Sequence, residues 1–245
     1  MYKSFCTIED KLNIPVEEAY RVLRTNIQFC GVGSRLKTVA VVSSNSGDGK
    51  TATALNLAIS MAKSGERTLL VDADMHKSDR VKNIHGSMAK GLSHYLMGNA
   101  ELNEIISDTN IKNLYFITNG PDLPNAAELI CSSKFNQFID ETCREFNMVI
   151  FDTPPLRSAI DSALISSKVD GTLIVIKSKT PYDHNLIRLK NQLLKANARI
   201  LGVVLNKIPK REYKKYYDST YKRRKRKKKI DFDENSAFDK KAIAT

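Results

Sequence analysis

The residues best suited to chemistry begin at Ser43. The run Ser43-Ser44-Asn45-Ser46-Gly47-Asp48-Gly49-Lys50-Thr51 nearly fits the spacing G-x-x-x-x-G-K-[ST], with Ser44 where the first glycine usually stands. A loop of this kind turns its backbone N–H groups onto a phosphate at the start of a helix, where the helix dipole also favours an anion. Gly47 and Gly49 permit the backbone angles this needs. Lys50 is placed to reach β- and γ-phosphates, and the Thr51 hydroxyl to ligate Mg2+. The expected nucleotide-binding set is Ser46, Gly47, Asp48, Gly49, Lys50, Thr51 and Ala52. An ordinary glycine turn would explain the glycines, but the strand before, the helix after and the Gly-Lys-Thr triplet favour a phosphate site.

Two more acidic positions fit that chemistry. Asp152 closes Met148-Val149-Ile150-Phe151-Asp152, four apolar residues and then an acid, as expected of a carboxylate that holds the water shell of Mg2+. Asp72 and Asp74 close Leu69-Leu70-Val71-Asp72-Ala73-Asp74. Side chains alternate along a strand, so both carboxylates are expected on one side at the carboxyl edge of a sheet, where ligands bind in such folds. A capped loop is the plainer alternative. Together with the loop, these residues are strong evidence for an Mg-nucleotide site, with Thr51 and Asp152 toward the metal.

Tyr213, Tyr216, Tyr217 and Tyr221 fall within nine residues and are four of the chain's nine tyrosines. A tyrosine hydroxyl ionises only near a pH of about 10, so a transfer reaction needs a carboxylate to take its proton and Mg2+ to neutralise the phosphates. A flexible segment can present several tyrosines in turn, although spacer aromatics in a solvated tail would look the same. Residues 207–229 hold 13 Lys/Arg and 2 acids, net +11, while the other 222 residues hold 26 basic and 25 acidic, net +1. The formal charge of +12 therefore belongs to a tail and not to the body of the chain. The run 222–229 suits an anionic membrane or a membrane partner, at about 1 kcal/mol per residue near the surface. Simple solvation ranks next, and nucleic-acid phosphates last.

The elements that must position these residues alternate. Runs at 36–43, 67–72, 113–118, 147–152, 171–176 and 200–205 are short, β-branched and nearly continuously apolar, which describes strands buried on both faces of a parallel sheet. Stretches at 50–63, 125–145, 161–167 and 181–196 have helical spacing. Repeated strand-helix alternation means a doubly wound α/β fold with helices on both faces. Ahead of it, 16–29 reads as an amphipathic helix starting after Pro15, with Val16, Tyr20, Leu23 and Ile27 on one face. The expected division is a domain at 1–207 and a basic tail at 208–245, disordered by itself.

Apolar content of 42% and charged content of 27% exclude a wholly disordered or membrane-embedded chain. No apolar run approaches the roughly 18 residues of a membrane span, and the N-terminus has no apolar h-region. A cytoplasmic protein with peripheral contact to the membrane's inner face is the expectation. Cys6, Cys30, Cys131 and Cys143 show no metal or disulfide spacing and read as buried or half-buried small hydrophobes. The four histidines show no ligand spacing, and only His76 falls near the site.

These motifs, taken in order, resemble the Walker A, A′ and B elements of bacterial tyrosine kinases, the last being Phe151-Asp152-Thr153-Pro154-Pro155. The match covers roughly residues 15–207 and points to the stand-alone kinases of capsule and exopolysaccharide systems. It includes Glu18-x-x-Arg21-x-x-Arg24, similar to the family's oligomerisation motif, and a stretch from Gly120-Pro121 to Leu129. The resemblance implies an ATP- and Mg2+-dependent kinase of the P-loop type that autophosphorylates in trans on its tyrosine cluster. It implies Asp72 as the catalytic residue that activates the tyrosine hydroxyl, Lys50 and Thr51 as the nucleotide-binding pair, and Asp74 and Asp152, with Thr51, as the residues that organise Mg2+. It also implies a homo-oligomeric ring through Glu18, Arg21 and Arg24, and a transmembrane modulator of the polysaccharide co-polymerase type. Three positions depart from the family pattern: His76 replaces an arginine after the acidic pair, and Ser46 and Ala126 replace prolines. A histidine is not a permanent cation near neutral pH, and Lys77 lacks a guanidinium's fork.

Two rivals share the fold or the loop. A partitioning ATPase of the MinD/ParA type would carry a lysine at the position of Asn45 and no tyrosine cluster. A nucleotide-binding scaffold with little kinase activity is the other, kept open by His76.

Overall fold

Nearly continuous apolar runs favour burial on both faces, and the central strands of the sheet have it; the run at 200–205 does not, because it forms an edge strand that leaves Val203 and Leu205 more than half exposed. The structure is a computed structural model and describes residues 2, 4–31, 36–76, 84–87, 90–155, 160–178, 184–209 and 211–213. The six expected strands are β2 (Thr38–Val42), β3 (Thr68–Asp72), β6 (Leu114–Ile117), β7 (Met148–Asp152), β8 (Gly171–Lys177) and β9 (Ile200–Asn206). They lie parallel in the order β6-β3-β7-β2-β8-β9. Their carboxyl ends, including Asp72, Asp152 and Asn206, therefore share one edge of the sheet.

Three more strands, unmarked by any apolar run, extend the sheet past β6. They are β1 (Ser4–Ile8), β4 (Ile84–Ser87) and β5 (Ser107–Thr109), giving the full order β4-β1-β5-β6-β3-β7-β2-β8-β9. The pairings β1–β4 and β5–β6 are antiparallel. Side chains hold this margin where periodicity does not. Asn110 accepts from Ile8 N at 2.7 Å and donates to Ile8 O at 3.1 Å, closing the end of β1 like an extra ladder rung.

The helices are α1 (Ile14–Cys30), α2 (Lys50–Lys63), α3 (Leu92–Leu96), α4 (Leu102–Ile105), α5 (Ala126–Cys131), α6 (Ser133–Glu145), α7 (Asp161–Ser166) and α8 (His184–Lys195). Helix α1 starts two residues before the expected point, because Asn13 is the cap and accepts Val16 N–H at 3.2 Å. Pro15 sits inside the first turn, where its missing N–H costs nothing. The expected single helix over 125–145 is two. Ser132 takes extended backbone (φ −68°, ψ 163°) and its hydroxyl donates to Leu129 O at 2.7 Å, a local bond that competes with helix continuation. Residues 181–183 of the expected fourth helix lie outside the described residues.

Alternate strand residues feed two cores. Val39, Val41 and Leu70 meet Ala54, Leu57, Ala58 and Met61 of α2, with Ile27 of α1 beside them. On the other face Ala40, Val42, Leu69, Val71 and Phe151 meet side chains of α3, α5, α6, α7 and α8. Tyr95, Phe135, Phe138 and Phe151 form an aromatic group in this core, with ring centroids 5.4–6.3 Å apart. Of the cysteines, Cys6 is buried and Cys30 and Cys143 are half-buried, but Cys131 is exposed on short α5 and not half-buried as expected.

The chain divides into two compact units, Met1–Lys207 and Ile208–Thr245. In the second unit, Tyr213 is described; Tyr216, Tyr217, Tyr221 and the basic run lie outside the described residues, as does Lys77 in the first. Among the described residues no helix is long and apolar enough to cross a membrane.

Phe151 links the aromatic group to Asp152, so this core sits directly beneath the acidic edge. Phe138→Ala should lower the unfolding free energy by about 3–5 kcal/mol, as large aromatic truncations do. Urea unfolding reads this as a lower midpoint at unchanged slope. A loss under about 1 kcal/mol would show that the rings are not packed as described.

Candidate active site

The loop between β2 and α2 is folded by its own polar residues. Ser43 Oγ donates to Asn45 O at 2.9 Å, Asn45 N–H to Asp48 Oδ2 at 3.2 Å, and Asn45 Nδ2 to Ser44 Oγ at 3.0 Å. Asp48 thus serves the loop from a buried position, while Ser46, Gly47 and Ala52 are exposed. Gly47 and Gly49 have φ of +81° and +97°, in the left-handed region. Gly49 is constrained a second time, since a Cβ there would collide with the Asn206 side chain. Lys50 opens the 14-residue α2, whose first N–H groups have no partner within the helix.

Asn206 and Lys207 belong to no motif of the sequence, yet both reach the loop. Asn206 Nδ2 donates to Asp48 O at 3.0 Å, and Lys207 Nζ to Gly47 O at 2.6 Å. The end of β9 therefore braces the loop from across the sheet. The available signal was a polar residue closing an apolar strand, the same signal that marks Asp152.

The acidic residues meet at the neighbouring strand ends. Asp72 and Asp152 are register partners on β3 and β7, and both are buried. Lys50 Nζ stands 3.9 Å from Asp152 Oδ1, also buried. Asp74 arrives by a route other than strand alternation, because β3 stops at Asp72. Its N–H donates to Asp72 Oδ1 at 3.1 Å, which folds the half-buried Asp74 back toward the site. Burial, then the charge of Asp152 and after it that of Asp74, hold the Asp72 carboxyl well above its usual range. The Asp74 N–H and Lys50 oppose this and do not prevail. A carboxylate held high is a competent proton acceptor.

These groups fit a nucleotide phosphate chain with Mg2+. Left-handed glycines, a helix start and an amine suit phosphate oxygens, and the half-buried Thr51 hydroxyl stands beside Lys50. Among the described residues no group of three or more His, Cys, Asp or Glu makes a metal cage. Mg2+ needs no such cage, since one or two carboxylates suffice and water and phosphate oxygens complete the shell.

The other sequence candidates lie elsewhere. Glu18 and Arg21 pair with each other at 3.4 Å on exposed α1, whereas Arg24 Nη1 donates to Ser60 O of α2 at 2.7 Å and ties the two helices together. Outward on α1 stand Ile14, Val22 and Phe29, each more than half exposed. His76 Nε2 lies 2.7 Å from Asp161 Oδ2 at the start of α7. The Gly120 stretch returns to the site through Leu123 N–H, which donates to Met75 O at 3.1 Å.

The chain matches the AAA domain family over residues 36–208. It is 39% identical over 194 residues to the tyrosine-protein kinase CpsD of Streptococcus pneumoniae serotype 4, covering 78% of this chain and 84% of that protein. Among solved structures, the chimerical protein CapA2B2 superposes with a TM-score of 0.76 at 32% identity, over 83% of this chain and 93% of that one. The septum site-determining protein MinD of Pyrococcus horikoshii, complexed with Mg-ADP, superposes with a TM-score of 0.53 at 23% identity, over 73% and 76%. At that distance it shows the shared fold alone.

The raised Asp72 carboxyl carries a testable sign. The folded state keeps its proton at pH values where the unfolded chain has released it, so stability falls as pH rises through that interval. Asp72→Asn removes the penalty. Without ligand it should melt higher than the natural chain near pH 8, and the difference should vanish toward about pH 4, where both forms are neutral. Thermal melts across that range check this, and a pH-independent difference would refute it.

Proposed function

Because the chain belongs to the family of tyrosine-protein kinases that includes CpsD, CapB and YwqD, we propose that it transfers the γ-phosphoryl group of ATP to tyrosine hydroxyls. The observation that carries this reading is Asp72, a buried carboxylate held high beside Asp152 and Lys50 at the mouth of a phosphate-type loop.

The residues divide the work. The loop from Ser46 to Ala52 receives the phosphates, and Lys50 sets its charge against the β- and γ-oxygens. Asp74, Asp152 and Thr51 hold Mg2+ with its waters. When bound, Mg2+ neutralises phosphate charge and orients the γ-group. Asp72 takes the proton from the tyrosine hydroxyl as its oxygen bonds to γ-phosphorus and the bond to the β-bridging oxygen breaks, leaving ADP and phosphotyrosine. The acceptors are Tyr213, Tyr216, Tyr217 and Tyr221, supplied in trans by a neighbouring copy. Helix α1 joins the copies in a ring, where Ile14, Val22 and Phe29 offer an apolar stripe beside Glu18 and Arg21. Arg24 is turned inward onto α2 and would have to leave Ser60 to act between copies.

The cellular role proposed is regulation of capsular or exopolysaccharide synthesis and export, at the membrane's inner face, under a transmembrane modulator of the polysaccharide co-polymerase type. The basic tail contacts anionic lipid. Phosphorylating four tyrosines adds about −6 to −8 charge, enough to cancel most of the +11 and release the tail.

Purified chain with ATP and Mg2+ should accumulate phosphotyrosine on immunoblots. Lys50→Met and Asp72→Asn should each cut the rate by at least about a hundredfold. A variant with all four tail tyrosines changed to Phe should lose the signal yet still phosphorylate the tail of Lys50→Met protein in a mixture. ATP hydrolysis without phosphotyrosine would favour the partitioning ATPase, and nucleotide binding alone the scaffold. In a separate measurement, vesicles containing anionic lipid should sediment the unphosphorylated chain far better than the phosphorylated one. Equal sedimentation would remove the electrostatic switch.

A further inference from the structure

The segment after β3, residues 73–76, carries Asp74 and lies between two sets of anchors. On one side Asn119, itself buried, donates from Nδ2 to Asp74 O at 2.9 Å, and Leu123 N–H donates to Met75 O at 3.1 Å. Met75 is fully buried. On the other side His76 Nε2 meets Asp161 Oδ2 at 2.7 Å. The ring's side chain is 41% exposed, whereas the Asp161 carboxylate is 2% exposed. A buried carboxylate needs a hydrogen-bonded partner, and a donor so close is a tether as well as a neighbour.

What gives this tether consequence is where α7 is held. Asp161 is the first residue of α7, and the next, Ser162, donates its hydroxyl to Pro154 O. Pro154 follows Asp152 by two residues, and the intervening Thr153 is fixed by its hydroxyl donating to Val41 O at 2.9 Å. The start of α7 therefore grips the segment after β3 through Asp161 and the segment after β7 through Ser162. Those segments carry Asp74 and Asp152, the two carboxylates assigned to Mg2+.

We infer that His76 is a positioning residue which, through Asp161 and α7, sets the spacing between the Asp74 and Asp152 carboxylates. It touches neither nucleotide nor acceptor, and acts through the loop it pins. The inference rests on the Mg-nucleotide reading of the site, but not on tyrosine as the acceptor. Direct partners of metal-holding side chains typically change metal affinity by about 10–100-fold when removed, and His76, which acts one step farther out through Asp161, is expected at the lower end.

The test follows Mg2+ by binding before activity. Full-length chain is titrated with Mg2+ in the presence of a fluorescent ADP analogue, and the Mg2+ concentration at half-maximal tightening is read. His76→Ala should raise that concentration about tenfold, with little change in affinity measured in EDTA. His76→Arg, which puts a longer and permanently charged donor at the position, should return it to within about twofold. Asp161→Asn should shift it in the same direction as His76→Ala, and the double variant should be no worse than the more affected single. In phosphotyrosine assays the same variants should lose kcat more than KM for the acceptor.

An unmoved Mg2+ midpoint in His76→Ala would overturn the inference, as would fully additive effects of His76→Ala and Asp161→Asn. A lowered melting temperature with an unmoved midpoint would make the pair a structural pin only, and also overturn it. If the natural chain bound Mg-ADP but made no phosphotyrosine, the kinase reading would fail while the Mg2+ titration still decided the role of His76.

Discussion

Two carboxylates at the same level on adjacent buried strands repel, and much of this site is arranged around that repulsion. Asp72 and Asp152 are register partners, both desolvated, with Lys50 the nearby amine at 3.9 Å from one of them. Separate strands cannot drift apart to relieve the strain, because ladder bonds fix their register. The conflict is instead expressed in protonation, with the Asp72 carboxyl held high. Such a state costs stability in the free protein, and a divalent cation with phosphate is the kind of occupant that converts the cost into affinity. The feature that makes the empty site unfavourable is thus the one that equips it to take a proton.

Holding like charges together requires that the surrounding loops not yield. The phosphate-type loop is closed by its own Asn45, Asp48 and Ser43, then braced by Asn206 and Lys207 from β9. Gly49 is therefore fixed by two independent demands, a left-handed backbone and the nearness of Asn206. The acidic segment after β3 is gripped by Asn119, Leu123 and His76. Across the site the carbonyls of Gly47, Asp48 and Asp74 are engaged by side chains that follow or close strands, those of Lys207, Asn206 and Asn119. This is how an open carboxyl edge becomes a preorganised one.

Much of this was legible in the sequence, for a local reason. Asp152 closes a run of four apolar residues and Asp72 a run of three, while Lys50 stands in a Gly-Lys-Thr triplet shortly after the apolar run of β2, so pattern and chemistry coincide within short windows. The six parallel strands were legible because nearly every residue in them is apolar, which burial on both faces explains for the central strands but not for the edge strand β9. The strands β1, β4 and β5 were not, since Ser4–Ile8, Ile84–Ser87 and Ser107–Thr109 are short and half polar, and β1 is held by partners far along the chain, in β4, in β5 and at Asn110. Ser132 breaks a helical pattern through one hydroxyl bond that no periodicity reports. Asn119, Asp161, Asn206 and Lys207 stayed hidden because their role is defined only by carbonyls and side chains that the fold brings to them.

Position 45 separates what the fold allows from what this chain can do with it. A lysine there, as in the partitioning ATPases, would reach a partner's phosphates as a cation. Here Asn45 is engaged inside its own loop, with its amide on Ser44 and its N–H on Asp48. It carries no charge to export. On the proposed reading, contact between copies comes from another surface, and the exposed apolar residues of α1 stand outside the site. The distant likeness to MinD shows the shared fold alone. On the proposed reading, what crosses between copies is a tyrosine and not a lysine, which places the acceptor on the tail and leaves the loop to grip its own nucleotide.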